Sequence, residues 1–224
     1  MQYSQYSDRL GKILSKIRGK IALSFSYQAE DVAALHILLL SGAKNYEIFT
    51  LDTRKTFKEC AVLHKEVEKF FGVKIKRYYP NKSAIADLEI KLGEWGMRES
   101  LENRRLCCET RKVEPLKRAL KNKTAWVTGL RAAQSVTRNE LKIVEYDEKF
   151  DCVKVNPIAE WSEDDVFSYI KKHNLPTNAL YSQGFKSIGC APCTRAVKDG
   201  EDARSGRWWW ENPEHKECGL HIKG

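Results

Sequence analysis

Two short motifs carry most of the sulfur in this chain: CCETRK, with Cys107 and Cys108, and GCAPCTR, with Cys190 and Cys193. A CxxC alone serves a redox dithiol, a zinc site or an iron–sulfur site, so its surroundings must decide. The adjacent Cys107 and Cys108 cannot easily close on one another, because a disulfide between chain neighbours forces a strained small ring. A metal is the better partner. Zinc held by four cysteines usually sits between two CxxC knuckles, whereas a four-iron cluster also takes four thiolates and tolerates unusual spacing. Buried reduced thiols that hold nothing are the plain alternative. Cys60 and Cys152 fall in a helical and a strand pattern and read as core.

Another cysteine motif, ECGLH, places Cys218 three residues before His221. A cysteine outside a metal set is a candidate nucleophile when its thiolate can reach a substrate and then be reached by a reductant. His221 could favour that thiolate or touch an anionic substrate; an idle tail is the competing reading. Arginines gather in the same motifs: Arg204 and Arg207 in DARSGRWWWE, Arg131 and Arg138 in TGLRAAQSVTR, and Arg111 with Lys112 beside the cysteine pair. Guanidinium forks suit bidentate contact with phosphate or sulfate oxygens, and several converging on one cleft would hold a compact dianion. The run Trp208 to Trp210 reads as packing rather than a lid.

These residues need a frame, and the sequence supplies an alternation of strands and helices. After an amphipathic opening helix over about 5–18, KIALSFS reads as a buried strand and QAEDVAALHILLLSG as a helix ending at Gly42. EIFTLDT, VKIKRYYP, TAWVTGL and the stretch from KIVEYD to VKVNPI read as further strands. FKECAVLHKEVEKFFG and the regions near 83–92 and 109–121 read as helices. WSEDDVFSYIKKHN has an N-cap serine, acids in its first turn and lysines in its last, so it is a well-signalled short helix. The pattern predicts a doubly wound α/β fold with a mainly parallel, twisted sheet, and ligands in such sheets sit beyond the C-terminal strand ends. SFSYQ, LDTRK and TGLR stand at such ends. SFSYQAED occupies a strand-to-helix turn where nucleotide loops occur, but it has no glycine to let backbone amides approach a pyrophosphate, so it suits a nucleotide with less phosphate to grip.

Composition bounds the function. The 224 residues, 42% of them hydrophobic, can bury one sizeable core. The longest apolar run, VAALHILLL, is broken by His36 and too short for a bilayer. The opening MQYSQYSDRL lacks secretory features, which predicts a soluble, cytoplasmic chain whose seven cysteines do not form a disulfide framework. A net charge of +9 calls for an anionic partner, yet KIKR and KKHN are scattered rather than a basic stripe. There is no internal repeat.

Taken together, SFSYQAED, LDTRKTF, CCETRKVEPL, TGLRAAQS, GCAPCTRA, GEDARSGRWWWE and ECGLH resemble the iron–sulfur-containing adenylylsulfate (APS) reductases of the assimilatory sulfonucleotide reductase family, in unbroken order from about residue 20 to residue 221. The resemblance implies an adenine nucleotide α-hydrolase-like fold, a [4Fe-4S] cluster on Cys107, Cys108, Cys190 and Cys193, and Cys218 as nucleophile with His221 beside it. It implies that Lys112, Arg138, Arg204, Arg207 and His221 grip the phosphosulfate while Ser26, Leu51 and Gly129 line the adenosine pocket. Residues 1–180 would form the nucleotide-binding domain, and 181–224 a mobile cluster-binding and catalytic tail of the same domain. The implied partners are APS and a thioredoxin or glutaredoxin-like reductant, with no nucleic acid and no membrane; homo-oligomerisation stays open. Two departures stand out: many relatives carry a small residue where this chain has Tyr27-Gln28, and the QSVTR segment before Arg138 is short. PAPS, alone or beside APS, is the nearest rival substrate, although PAPS-only members generally lack the CC and CxxC elements. A tRNA-thiolating enzyme would show an SGGxDS loop, absent here, and a zinc nucleic-acid module would show repeated knuckles.

Overall fold

The computed structural model describes residues 3–134 and 141–212. Its chain divides into two compact units: Met1–Thr50, Lys58–Lys76 and Leu120–Ala179 form the first, and Leu51–Phe57, Arg77–Ala119 and Leu180–Gly224 the second.

A six-stranded sheet is formed by β1 (Ile21–Ser24), β2 (Tyr46–Leu51), β3 (Ile75–Tyr78), β4 (Ala125–Val127), β5 (Val144–Asp147) and β6 (Cys152–Val155), in the order β3-β2-β1-β4-β6-β5. β1 runs parallel to both β2 and β4, with Ile21 opposite Tyr46 on one side and Ala125 on the other. β6 continues the parallel set beside β4, while β5 returns antiparallel along it as the edge strand. Lys154 on β6 is buried and sits between Glu145 and Asp147 of β5, a cross-strand charge set that fixes the hairpin register.

Helix α1 (Ser4–Leu14) is shorter than its sequence pattern, ending four residues early. Helix α2 (Ala29–Leu40) is apolar on nearly every face, and its residues are correspondingly buried. Helix α3 (Lys58–Phe71) instead buries a stripe of Cys60, Leu63, His64 and Val67, and Gly72 follows it at φ 65°, where a side chain would strain the backbone. The strand order reverses between β1 and β4, so the turns that follow these two strands flank the switch point of the sheet.

In the second unit, helix α4 (Lys82–Leu92) is capped by Asn81, whose side chain accepts from the amides of Ser83 and Ala84. A tight turn at Gly96–Arg98 leads to helix α5 (Leu101–Cys108), capped by Ser100. α5 runs without a break through a π turn at Glu109–Val113 into helix α6 (Glu114–Leu120). Pro115 accounts for the wide turn: it has no N–H to give the carbonyl of Arg111, and its ring would crowd that carbonyl in a regular helix. Sequence periodicity marks only the second half of this run, because LENRRLCC has no apolar stripe. Helix α7 (Glu163–Lys172), back in the first unit, carries the expected cap: Ser162 Oγ accepts from the Asp165 amide, and Asp165 accepts from the Ser162 amide.

Candidate functional site

In the second unit the four cysteines of the two motifs meet. Cys107 and Cys108 end α5, where the π turn begins; Cys190 and Cys193 flank a tight turn at Ala191–Cys193, in which the Cys193 amide donates to the Cys190 carbonyl at 2.9 Å. Cys193 packs in one apolar cluster with Met97 and Trp208, against which Cys107, Cys190 and Trp210 also lie. Thr53 Oγ1 is 3.2 Å from Cys190 Sγ, and the Ala191 amide donates to the Lys55 carbonyl. None of the four is in a disulfide. Burial pushes the Cys193 thiol up to about 12, with Cys190 and Cys107 adding to the rise against Lys112 and Arg207. Burial also raises Cys107, and Cys190 adds to it, while Arg111 and Lys112 oppose.

A cavity opens against these sulfurs. Its wall consists of the four cysteines, Met97, Pro192 and Trp208 together with the cations Lys55, Arg104, Arg111, Lys112 and Arg207. Arg111 and Arg207 are buried, 4% and 6% exposed. Arg111 donates to the Thr53 carbonyl and pairs with Glu89 at 2.8 Å. Arg207 lies over the Trp208 ring and donates to Ser187 and the Ile188 carbonyl. Gly189 makes room for it, since a Cβ there would collide with the guanidinium carbon. Arg104 is buried and paired with Glu211 at 2.7 Å. Arg204 is half-buried in the turn that precedes Arg207, whose amide donates to the Arg204 carbonyl.

Four thiols with no carboxylate or imidazole in the lining form a soft donor set, the kind that holds iron–sulfur groups. Buried donors without a partner among the described residues stand beside them: Nε of Arg111, Nε of Arg207 and the indole N–H of Trp208. Such orphaned donors are costly unless an acceptor faces them, and thiolate or sulfide sulfur bearing negative charge is one. The residues therefore suit an anionic cluster chemically. As they stand, no three His, Cys, Asp or Glu side chains among the described residues could share a single metal ion.

The first unit holds the turns at the switch point. After β1, the Ser26 amide and hydroxyl both donate to Asp31 Oδ2, at 2.7 and 2.5 Å. Burial pushes the Asp31 carboxyl up to about 6 against those two bonds, and neighbouring Glu30 raises it further. After β4, Gly129 lies directly against this turn. Tyr27 stands between Ser26 and α2 with φ 69°, a left-handed conformation unusual for a bulky side chain, and its hydroxyl meets His64 Nδ1 at 3.2 Å. Arg131 is fully engaged elsewhere than at a ligand: it pairs with Glu30 through Nε and Nη2 and donates to the Trp161 carbonyl, while Gln134 donates to the same Glu30 oxygen. Leu51, at the end of β2, is half-buried. Arg138, Cys218 and His221 lie outside the described residues.

Sequence reasoning thus named the cysteines, Lys112 and Arg207 of one cavity but missed Lys55, Arg104 and Met97 in its wall. Lys55 sits in the LDTRK motif at a strand end; Arg104 carries no local signal. Cys60 and Cys152 are buried as expected, and burial, then Asp147, pushes Cys152 up to about 12.

The phosphoadenosine phosphosulfate reductase domain model matches residues 20–196, spanning both turns of the switch point and all four clustered cysteines. The chain belongs to this family. Among curated relatives, the protein named adenosine 5'-phosphosulfate reductase from Allochromatium vinosum is 50% identical over 203 residues, covering 91% of this chain and 79% of its own length. The protein of that name from Neisseria meningitidis is 48% identical over 199 residues, covering 88% and 80%, and the one from Burkholderia cepacia 43% identical over 218 residues, covering 96% and 87%. Among solved structures, phosphoadenylyl-sulfate reductase from Candida auris aligns with a TM-score of 0.66 at 24% identity over 88% of this chain and 98% of that one. An FMN adenylyltransferase from Candida glabrata gives 0.59 at 16% identity over 99% and 77%. Both share the adenine nucleotide α-hydrolase-like α/β fold expected from the sequence. No helix among the described residues is long and apolar enough to cross a membrane.

Proposed function

We propose that this PAPS reductase family member is an adenylylsulfate reductase that converts APS to sulfite and AMP in assimilatory sulfate reduction. The observation that carries the reading is the cation-lined cavity with its four cysteines, none of them in a disulfide, in a chain half identical to a protein named adenosine 5'-phosphosulfate reductase. Cys107, Cys108, Cys190 and Cys193 would hold a [4Fe-4S] cluster, which when bound supplies a fixed electrostatic neighbour for the substrate rather than a route for electrons.

The remaining chemistry belongs to the chain's own side chains. Ser26, Leu51 and Gly129 take the adenosine. Lys112, Arg138, Arg204, Arg207 and His221 hold the phosphosulfate and stabilise the charge that gathers on the departing phosphate. The Cys218 thiolate attacks the sulfur of APS: a sulfur–sulfur bond forms, the bond from sulfur to the phosphate oxygen breaks, and its electron pair leaves with AMP. A thiosulfonate remains on Cys218. A thiolate of thioredoxin, or of a glutaredoxin-like protein, then attacks the cysteine sulfur, sulfite departs with the bonding pair, and the reductant's second thiol resolves the mixed disulfide. The reductant ends oxidised by two electrons, and Cys218 is restored. A cytoplasmic setting would supply such thiols.

The relatives' names support APS rather than its 3'-phosphorylated counterpart as substrate. Sulfite release from protein prepared without oxygen, with thioredoxin and either nucleotide, tests this. The expected result is sulfite from APS and little from PAPS; sulfite from PAPS alone, or from neither, would contradict it.

A further inference from the structure

Arg98 ends the tight turn at Gly96–Arg98 and belongs to no motif that the function uses. Its guanidinium donates twice, from Nε at 3.2 Å and Nη2 at 2.6 Å, to a single acceptor, the carbonyl of Pro192. Pro192 is the residue between Ala191 and Cys193, in the middle of the CxxC turn. Three indoles surround the same guanidinium: its carbon lies 4.4 Å from the ring centroid of Trp95, 4.8 Å from Trp209 and 5.1 Å from Trp210. The next residue back, Met97, packs directly on Cys193 and Trp208.

This arrangement makes one cation the common point of two segments. A planar fork suits two bonds to one oxygen, and its faces suit stacking by aromatic rings; an ammonium offers neither the fork nor the flat faces. The Pro192 carbonyl needs an outside donor, because the turn's own bonds run from the Cys193 amide to the Cys190 carbonyl and from the Thr194 amide to the Ala191 carbonyl. Arg98 supplies it. Trp209 and Trp210 in turn are held close to the turn through the cation they share with Trp95.

We propose that Arg98 is the positioning residue of the Cys190–Cys193 turn: clamped by Trp95, Trp209 and Trp210, it fixes the Pro192 carbonyl and thereby the spacing of the two thiols. This rests on reading the four cysteines as ligands of one cluster. Arg98 is not part of the wall of the cysteine cavity, so its contribution is to how long the ligands stay in place.

The test compares wild type with Arg98→Lys and Arg98→Met, all loaded with iron and sulfide without oxygen. On exposure to an iron chelator, Arg98→Met should release iron at least about tenfold faster, the usual size of an effect from a residue that orients metal ligands, and Arg98→Lys should not restore the slow rate. Backbone amide exchange should rise at Cys193 and Thr194 and stay unchanged in α7 of the first unit, which a general loss of stability would not do. Trp95→Ala, at a half-exposed position that spares the core, should give a smaller change in the same direction. Iron release and local exchange at wild-type values in both Arg98 variants would overturn the proposal. Should wild type itself take up no iron, the cluster reading fails, and exchange at Cys193 and Thr194 in the metal-free proteins still judges the clamp.

Discussion

Gly129 is pressed against Asp31: a Cβ on Gly129 would stand 2.6 Å from Asp31 Oδ1 and 2.9 Å from the Asp31 amide. The turn after β4 and the turn after β1 are thus packed with no space for a methyl group, and Asp31 in turn holds the amide and hydroxyl of Ser26. Gly129→Ala must push the two turns apart. It should cost about 1–3 kcal/mol of stability, the usual price of overpacking, and should weaken AMP binding by roughly tenfold or more. Denaturant unfolding and calorimetric titration with AMP check both effects.

Asp31 also gives the fold a pH signature. Its folded carboxyl titrates at about 6 against an ordinary value of 3.8, because burial disfavours the charge. The folded state therefore holds the proton more tightly than the unfolded chain does. Stability from this group is fully present below about pH 4 and is lost as the pH rises through 6, on the order of 3 kcal/mol in all. Other carboxylates titrate over the same range, so the comparison is with Asp31→Asn: the wild type should lose stability relative to the variant between pH 4 and pH 6. A constant difference across that range would show that Asp31 titrates normally.

Arg104 and Glu211 form the most buried ion pair of the second unit among the described residues, with Arg104 also lying over the Trp208 ring. Removing one partner leaves an uncompensated charge in an apolar setting. Arg104→Met should destabilise the protein by about 3–5 kcal/mol, and adding Glu211→Gln should recover part of that loss. Equal unfolding midpoints for the single and double variants would argue against the pairing.

How far the sequence anticipates this structure depends on the range of the interaction. The Ser162 cap, the stripe of α3 and the stop at Gly72 are local signals, decided within one or two turns of chain, and they are legible. So is the strand–helix alternation that leads to a parallel sheet. The helical turn over 101–108 is not, because its cysteines and arginines make no apolar stripe; Ser100 with Glu102 in the first turn was the available signal. Nor is the role of Arg131, whose partner Glu30 is 101 residues away in the sequence, or of Arg98, whose contacts Pro192, Trp209 and Trp210 lie far along the chain. Charge type is visible in a sequence, but which charges are consumed by one another is settled only by packing.

The cysteine quartet has a direct chemical test. Protein purified without oxygen should be brown and carry about four irons per chain, and serine at Cys107, Cys108, Cys190 or Cys193 should remove the colour. Stoichiometric zinc without iron in such a preparation would contradict the cluster.

Transfer of the sulfo group of APS to Cys218, as proposed here, can be read in a single turnover. Mixed with APS in the absence of any thiol reductant, the protein should release about one equivalent of AMP per active chain and then stop, since nothing is present to attack the thiosulfonate. Mass analysis should place one added sulfonate on the peptide containing Cys218, and thioredoxin should remove it as sulfite. Cys218→Ser should bind APS yet give neither burst nor adduct. Turnover of APS at the normal rate by Cys218→Ser, or an adduct on Cys60 or Cys152 instead, would contradict the account.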